Sequence, residues 1–268
     1  MGYETIILEN DDGIAKLILN RPRKYNAVNT TMMRELQPAL QEVSQDDEVK
    51  VLTITGAGSA FCSGADVAMI RGMFEDASRE EIPLRDKLRL IEPFYSIVMQ
   101  ISNLAKPVIA AVNGVAAGGG LVLAMVADIR IASDRAGFSQ VFARRGLPDG
   151  ASTFFLPKLV GLGKACELAF TGKIIDASEA ERIGLVNQVV PHVELMNTTR
   201  ELAAGIAKGP TVALQLAKQA LRRGFTAVDL AAHIEYELNS VLISITTEDF
   251  REGVKSFLEK REPDFRGR

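Results

Sequence analysis

Three consecutive glycines, Gly118 to Gly120, interrupt the longest nearly apolar run of the chain, Gly114 to Ala127. The run is shorter than the roughly 20 residues that a membrane-spanning helix needs, so the sequence predicts no span here. The run follows PVIAAV at 107–112, whose continuous apolar character indicates a buried strand. Glycines at this point let the backbone turn and approach a neighbour closely, ahead of an apolar helix with unpaired N–H groups.

A second small-residue turn, GAGSAFCSGAD at 56–66, follows the apolar strand predicted over 51–56. Two such turns at two strand ends could direct two backbone N–H groups at one oxygen. That arrangement suits an enolate, because donors fixed where negative charge develops need no reorganisation. Two other interpretations stay open: tight strand-to-helix packing alone, and a phosphate cradle, which the missing Lys-Ser or Lys-Thr after the triplet disfavours.

The remaining pattern predicts an α/β protein with strands first and helices last. Residues 4–9 and 13–20 indicate a hairpin, and residues 33–43 and 84–98 indicate helices, the latter from Leu84, Leu88, Ile91, Tyr95 and Val98. The polar stretch 72–83 indicates a loop or a short mobile helix. From Leu159 the pattern is mainly helical, and we predict a boundary at Pro191 between a core, 1–191, and a helical region, 192–268.

Charge and cysteine content exclude some classes of function. The 31 basic and 34 acidic residues are interspersed and give a net charge of −3, so no basic surface for nucleic acid is expected. The amino terminus lacks a basic region followed by an apolar one, which predicts no targeting segment, no membrane association and reduced thiols at Cys62 and Cys166. We therefore expect a cytoplasmic protein.

Five segments, taken in order, resemble the crotonase superfamily, the enoyl-CoA hydratase/isomerase family. They are NRPRKYNAVN at 20–29, GAGSAFCSGAD at 56–66, AVNGVAAGGG at 111–120, LPKLVG at 156–161 and FLEKREPDF at 257–265. The resemblance implies a crotonase (ClpP-like) fold of the α/β class, with stacked β-sheets in a ββα spiral and a C-terminal helical trimerisation region. It also implies an acyl-CoA substrate whose enolate oxygen is bound by the N–H groups of Ala65 and Gly119.

The same resemblance implies which residues contact coenzyme A. The coenzyme is part of the substrate, and no separate cofactor and no metal are expected. Within the chain the implied residues are Arg23, Lys24, Ala27, Ala60, Gly64, Asp66 and Val67. Phe257 and Lys260 fall where a neighbouring subunit completes the pocket, which implies a homotrimer or a dimer of trimers. The alternative interpretation is that Phe257 packs in the core and Lys260 is solvated, both on an amphipathic helix.

The type of reaction depends on two positions at which hydratases of this superfamily carry glutamates. Here those positions hold Val122 and Phe142, and neither side chain transfers a proton. The segment 142–153 instead resembles that of enoyl-CoA isomerases, which implies Asp149 as a single proton shuttle. Pro148, Asp149 and Gly150 are also residues that favour a turn, and the segment is one residue shorter than the isomerase pattern. A role of Asp149 in the turn alone therefore stays open.

The preferred interpretation is an enoyl-CoA isomerase. The alternatives are an enoyl-CoA hydratase with a non-standard base, a CoA-thioester hydrolase, and a non-catalytic acyl-CoA-binding protein. Residues expected to line the acyl pocket, with core packing as the alternative, are Met69, Met73, Phe74, Val122, Phe142 and Leu147. Weaker candidates are Arg144 and Arg145 as anion ligands, His192 and His233 as metal ligands, and Cys62 as a nucleophile.

Overall fold

The computed structural model describes residues 2–78, 83–87, 89, 91–148 and 150–268. The chain opens with the predicted hairpin, in which strands β1 (Ile6–Asp11) and β2 (Ile14–Leu19) pair antiparallel. The turn between them uses Asp12 and Gly13, both with positive φ (50° and 76°). Two such residues match the right-handed twist of the flanking strands.

Among the described residues, eight further strands complete two sheets. They are β3 (Val51–Gly56), β4 (Ala60–Cys62), β5 (Val108–Val112), β6 (Val115–Ala117), β7 (Ile129–Ser133), β8 (Gly137–Ser139), β9 (Ile174–Asp176) and β10 (Gln188–Val190). The larger sheet has the order β1-β2-β3-β5-β7-β10, and the smaller one has the order β4-β6-β8-β9. Every pairing is parallel except β1 with β2 and β8 with β9.

From β3 to β8, successive strands alternate between the two sheets. The odd strands β3, β5 and β7 lie side by side in the larger sheet, and the even strands β4, β6 and β8 lie side by side in the smaller one. Each repeat therefore contributes one strand to each layer before the chain crosses over to the next repeat. The expected ββα spiral with stacked sheets is confirmed.

Helices surround the two sheets. They are α1 (Thr30–Gln45), α2 (Val67–Ala77), α3 (Leu84–Lys87), α4 (Glu92–Asn103), α5 (Gly119–Met125), α6 (Ser152–Val160), α7 (Leu162–Thr171), α8 (Ala177–Arg182), α9 (Leu195–Ala207), α10 (Thr211–Gly224), α11 (Leu230–Ser244) and α12 (Glu248–Glu259). No helix in the described ranges is both long enough and apolar enough to cross a membrane.

Two of the helix predictions have different outcomes. The helix predicted over 33–43 is α1, which begins where the Asn29 side chain accepts a hydrogen bond from Met32 N at 2.9 Å. The single helix predicted over 84–98 is wrong, because α3 ends at Lys87 and α4 begins at Glu92 with Pro93 in its first turn. Part of the stretch predicted as a loop or short helix belongs to α2, and residues 79–82 lie outside the described ranges.

The central strands β3 and β5 of the larger sheet are buried on both faces. Its inner face joins the smaller sheet and helices α1, α4 and α5 in one continuous apolar cluster. Its outer face is covered by α9, through Leu195 and Ala203, which pack against Ile109 and Ile131. Strands buried on both faces explain the continuous apolar runs in the sequence.

A buried ionic cluster joins α10 to the core. The Asp128 carboxylate, which follows α5, accepts hydrogen bonds from Val108 N (2.8 Å), Lys218 Nζ (2.7 Å) and Arg222 Nη2 (2.7 Å). Lys218 Nζ also donates to the carbonyl of Lys106 at 2.7 Å. Burial lowers the pKa of Lys218 to about 8, while Asp128 acts in the opposite direction. The charge of Lys218 thus depends on Asp128.

The cluster gives a prediction for stability. Asp128→Ala leaves the buried ammonium of Lys218 without its counter-charge, and we expect the free energy of unfolding to fall by about 3–5 kcal/mol. The matched control is Asp11→Ala, which removes an exposed partner of Arg200 and should cost less than about 1 kcal/mol. Urea unfolding followed by circular dichroism measures both. Equal losses in the two variants would contradict the role of the cluster.

Candidate active site

The two small-residue turns lie side by side because the strands before them are neighbours. β4 pairs with β6 in parallel, so both strands end at the same edge of the smaller sheet. Residues 63–66 follow β4, and Gly118 and Gly119 follow β6. The expectation that the two turns meet at one place is confirmed.

The approach of the two turns is too close for a side chain. A Cβ on Gly64, whose φ is +97°, would lie 2.8 Å from the Ala117 carbonyl oxygen and 3.5 Å from Gly119 N. A Cβ on Gly120 would overlap the carbonyl group of Cys62. Only glycine fits these positions without moving backbone atoms.

The orientation of the Ala65 N–H follows from the hydrogen bonds of its neighbours. Val28 N donates to the Gly64 carbonyl at 2.7 Å, and Asp66 N donates to the Val28 carbonyl at 2.8 Å. The N–H of Ala65 belongs to the same trans peptide as the Gly64 carbonyl and points the opposite way, away from Val28. Within the described ranges, neither Ala65 N nor Gly119 N has a hydrogen-bond acceptor.

Two buried asparagines hold the turn that leads into β4. Asn26 Nδ2 donates to the Ala60 carbonyl at 2.7 Å, and Asn113 Nδ2 donates to the same carbonyl at 3.2 Å. Asn113 also accepts from Gly56 N at 3.1 Å. The sequence analysis missed both side chains, although each lies in a segment that it singled out.

Two aromatic rings face the glycines. A Cβ on Gly119 would lie 3.2 Å from the ring of Phe94, which projects from α4. The ring of Phe142 packs between Gly118 and Gly150, where added Cβ atoms would lie 3.7 Å and 2.7 Å from it. Phe142 is a predicted pocket residue, whereas Phe94 was missed because its helix was placed in the wrong register.

The residues expected to meet coenzyme A divide by exposure. Arg23, Lys24 and Val67 are exposed near the two turns, while Ala27 and Ala60 are buried. Gly64 and Asp66 belong to the turn after β4 already described. The side chain of Asp66 forms an ion pair with Arg21 (Nη2 to Oδ2, 2.8 Å), a residue that the sequence analysis missed. The coenzyme contacts of these residues stay a prediction.

The predicted acyl-pocket residues also differ in exposure. Val122 is fully buried in the main apolar cluster, Met69 packs partly buried against that cluster, and Leu147 is exposed. Asp149, the predicted proton shuttle, lies outside the described residues, as do the side chains of Met73 and Phe74.

The remaining candidates lie in other surroundings. Phe257 is 82% exposed on α12 in the single chain, and Lys260 ends that helix with a φ of 55°. His192 contacts Ser133 (Nδ1 to Oγ, 3.0 Å), and His233 contacts Glu237 (3.2 Å), so the two histidines have separate partners.

The weaker candidates are a pair of arginines and a cysteine. Arg144 and Arg145 are exposed. Burial raises the pKa of Cys62 to about 12, so its thiol stays protonated and is a poor nucleophile.

Comparison with known proteins gives consistent similarities. A sequence model described as enoyl-CoA hydratase/isomerase matches residues 9–268. The chain is 40% identical over 269 residues to the crotonyl-CoA hydratase of Syntrophomonas wolfei, and 37% identical over 268 residues to the 1,2-epoxyphenylacetyl-CoA isomerase of Escherichia coli. In both cases 99% of each chain is covered. The crystal structure of an enoyl-CoA hydratase from Bacillus anthracis superposes with a TM-score of 0.90 at 34% identity, covering 99% of this chain and 100% of that one.

The close approach of the turns gives a second prediction. Gly64→Ala adds a Cβ at a φ that L residues rarely adopt, against a backbone carbonyl that cannot rotate away. We expect a loss of about 1–3 kcal/mol in the free energy of unfolding and faster hydrogen exchange in residues 60–67. The control Gly205→Ala lies in α9 with no atom within 4 Å of the added Cβ, and should be neutral or gain up to about 1 kcal/mol. Unchanged exchange in Gly64→Ala would contradict the prediction.

Proposed function

The chain belongs to the enoyl-CoA hydratase/isomerase family, and on that premise we propose that it binds the enolate oxygen of an acyl-CoA thioester between the N–H groups of Ala65 and Gly119. Both groups lack an acceptor among the described residues, and their turns meet at Gly64. Donors held by the main chain stabilise charge that develops on the thioester oxygen without first reorganising. The groups proposed to bind the thioester oxygen are therefore backbone groups.

The reaction that we propose is a double-bond shift in an enoyl-CoA, with Asp149 as the proton shuttle. The observation that carries this proposal is that apolar side chains, Val122 and Phe142, occupy both positions at which hydratases of the family carry glutamates. Val122 is fully buried, and the Phe142 ring fills the space between Gly118 and Gly150. Neither residue can activate water, whereas Asp149 directly precedes Gly150 in the sequence.

The proposed reaction balances with a single carboxylate. Starting from a 3-enoyl-CoA, Asp149 removes a proton from C2, and the electron pair of that C–H bond moves towards the thioester oxygen to give a dienolate. The two N–H groups bind the negative oxygen. The protonated Asp149 then returns the proton to C4, and the double bond ends between C2 and C3. No water and no redox partner enters the reaction.

Hydration is the second candidate, because relatives of this chain are named as hydratases, among them the crotonyl-CoA hydratase of Syntrophomonas wolfei. A relative of similar identity is named as an isomerase, that of Escherichia coli. Hydration of an enoyl-CoA needs a group that delivers water to C3. In this chain such a group would have to come from outside positions 122 and 142.

We further propose that coenzyme A lies along residues 23–27 and 64–67, and that the pocket is completed by Phe257 and Lys260 of a neighbouring subunit in a trimer or a dimer of trimers. Exposed apolar side chains on α10, α11 and α12, and at Phe225 directly after α10, support this assembly. They are Leu221, Phe225, Leu230, Ile234, Leu238, Val241, Leu242, Phe250, Val254, Phe257 and Leu258. A surface of this kind is characteristic of a subunit contact. A cytoplasmic location stays a prediction.

The first test measures proton transfer. Wild type and Asp149→Asn are incubated with a 3-enoyl-CoA in deuterated water, and the products are followed by NMR. We expect wild type to form the 2-enoyl-CoA with exchange at C2 and C4, and Asp149→Asn to lose about 10²–10⁴-fold in rate while still binding the thioester. Equal rates in both proteins would remove Asp149 as the shuttle. A 3-hydroxyacyl-CoA product would favour hydration.

The second test measures assembly. Sedimentation equilibrium should give a mass of three or six chains for the wild type. Phe257→Asp places a charge on the exposed apolar face of α12, where we expect dissociation at micromolar concentration together with weaker CoA-thioester binding. The control Val193→Asp is an equally exposed apolar position outside those helices and should leave the mass unchanged. A monomeric wild type would contradict the proposed assembly.

A further inference from the structure

The turn after β4 is held from one side by the segment that precedes α1. Besides the two bonds made by Val28, Ser63 N donates to the Tyr25 carbonyl at 3.0 Å. Tyr25 and Asn26 have φ values of 49° and 55°, which reverse the chain so that residues 27 and 28 run alongside the turn. The direction of the Ala65 N–H therefore depends on where residues 25–28 lie.

One side chain joins the two segments. Arg21 Nη2 contacts Asp66 Oδ2 at 2.8 Å, and Arg21 Nη1 donates to the Ala27 carbonyl. The other carboxylate oxygen of Asp66 accepts from Ala68 N at 2.9 Å, in the first turn of α2. The Arg21 guanidinium thus joins Ala27, which precedes Val28, to Asp66, which follows Ala65.

The environment makes this contact stronger than a surface ion pair. The side chains of Arg21 and Asp66 are 17% and 15% exposed. Burial would raise the pKa of Asp66, but the Ala68 N–H and the Arg21 guanidinium outweigh that effect and lower the pKa below its ordinary value. Asp66 is therefore ionised at neutral pH, and its hydrogen bonds to Arg21 are charge-assisted.

From this geometry we propose that Arg21 is a positioning residue, which through Asp66 and the Ala27 carbonyl fixes the direction of the Ala65 N–H towards the thioester oxygen. The inference rests on the proposed enolate site, and it assigns to Asp66 a role apart from coenzyme contact. Both terminal nitrogens of the guanidinium have protein partners, which supports a role for Arg21 through the main chain.

Four variants distinguish an effect on the direction of the Ala65 N–H from an effect on the binding of the thioester. Arg21→Met keeps an apolar stem of similar length but loses the guanidinium and both of its contacts, and Arg21→Lys can restore one of them. Asp66→Asn keeps an oxygen for Ala68 N and removes the charge that pairs with Arg21. The control is Arg182→Met, which breaks an ion pair between the exposed Arg182 and Glu179, outside the two turns (2.6 Å).

The readout is the infrared stretch of a carbon-13-labelled thioester carbonyl in a bound 2-enoyl-CoA, measured against the free ligand, with kcat and KM for the 3-enoyl-CoA beside it. A well-directed donor lowers this frequency. In Arg21→Met and Asp66→Asn we expect at least half of the wild-type shift to be lost. We also expect kcat to fall about 10- to 100-fold, less than the loss of a whole donor, with KM within about threefold. Arg21→Lys should keep part of the wild-type frequency shift, and the control Arg182→Met should keep all of it.

The outcomes distinguish the two proposals. A wild-type protein that binds the thioester without any carbonyl shift would overturn the enolate site itself. A wild-type shift that persists unchanged in Asp66→Asn and in Arg21→Met would overturn only the role of Arg21. If Arg21→Met fails to fold, Asp66→Asn decides alone, because it keeps the size and the capping oxygen of the side chain. A rise in KM with an unchanged shift would assign Asp66 to coenzyme binding instead.

Discussion

The arrangement of the site depends on a contact between two stretches of main chain, residues 59–64 and 114–120, that leaves no room for side chains. Gly114 lies against the Ser59 carbonyl, Gly64 against the Ala117 carbonyl and Gly120 against the Cys62 carbonyl. With Cβ atoms at these positions, β4 and β6 could not run side by side to their common edge. Because both proposed donors are peptide N–H groups, their separation is fixed by strand pairing and not by side-chain rotamers.

When the proposed oxygen-binding groups belong to the main chain, the side chains around them can differ between relatives. Hydrocarbon at Val122 and Phe142 removes proton transfer from two positions without disturbing either turn, since both residues pack as apolar groups. With the proposed enolate site, one fold would stabilise the same kind of charged intermediate and direct it to different products. Similarity to relatives named both as hydratases and as isomerases is consistent with this separation.

Local patterns in the sequence were enough to predict the hairpin, α1, the buried strands and both glycine turns. They failed at α3 and α4, which are separate helices although one apolar periodicity runs through both, and α4 begins at Glu92 with Pro93 in its first turn. They also missed Arg21, Asn26 and Asn113, whose partners in the turns lie up to about 60 residues away in sequence. A polar side chain that satisfies a distant carbonyl leaves no periodic signal, so only the three-dimensional structure identifies it.

The ionic cluster at Asp128 also bears on the order in which the chain can mature during synthesis. The last sheet strand ends at Val190, whereas Lys218 and Arg222, the two cations of the cluster, leave the ribosome later. Until then the Asp128 carboxylate has the Val108 N–H as its partner on the core side. A nascent chain that ends at Val190 has Arg130 near Asp128 but lacks both direct ion-pair partners of that carboxylate, so its core gains stability when α10 is added. The helical end of the protein therefore contributes to the stability of sheets that are synthesised before it.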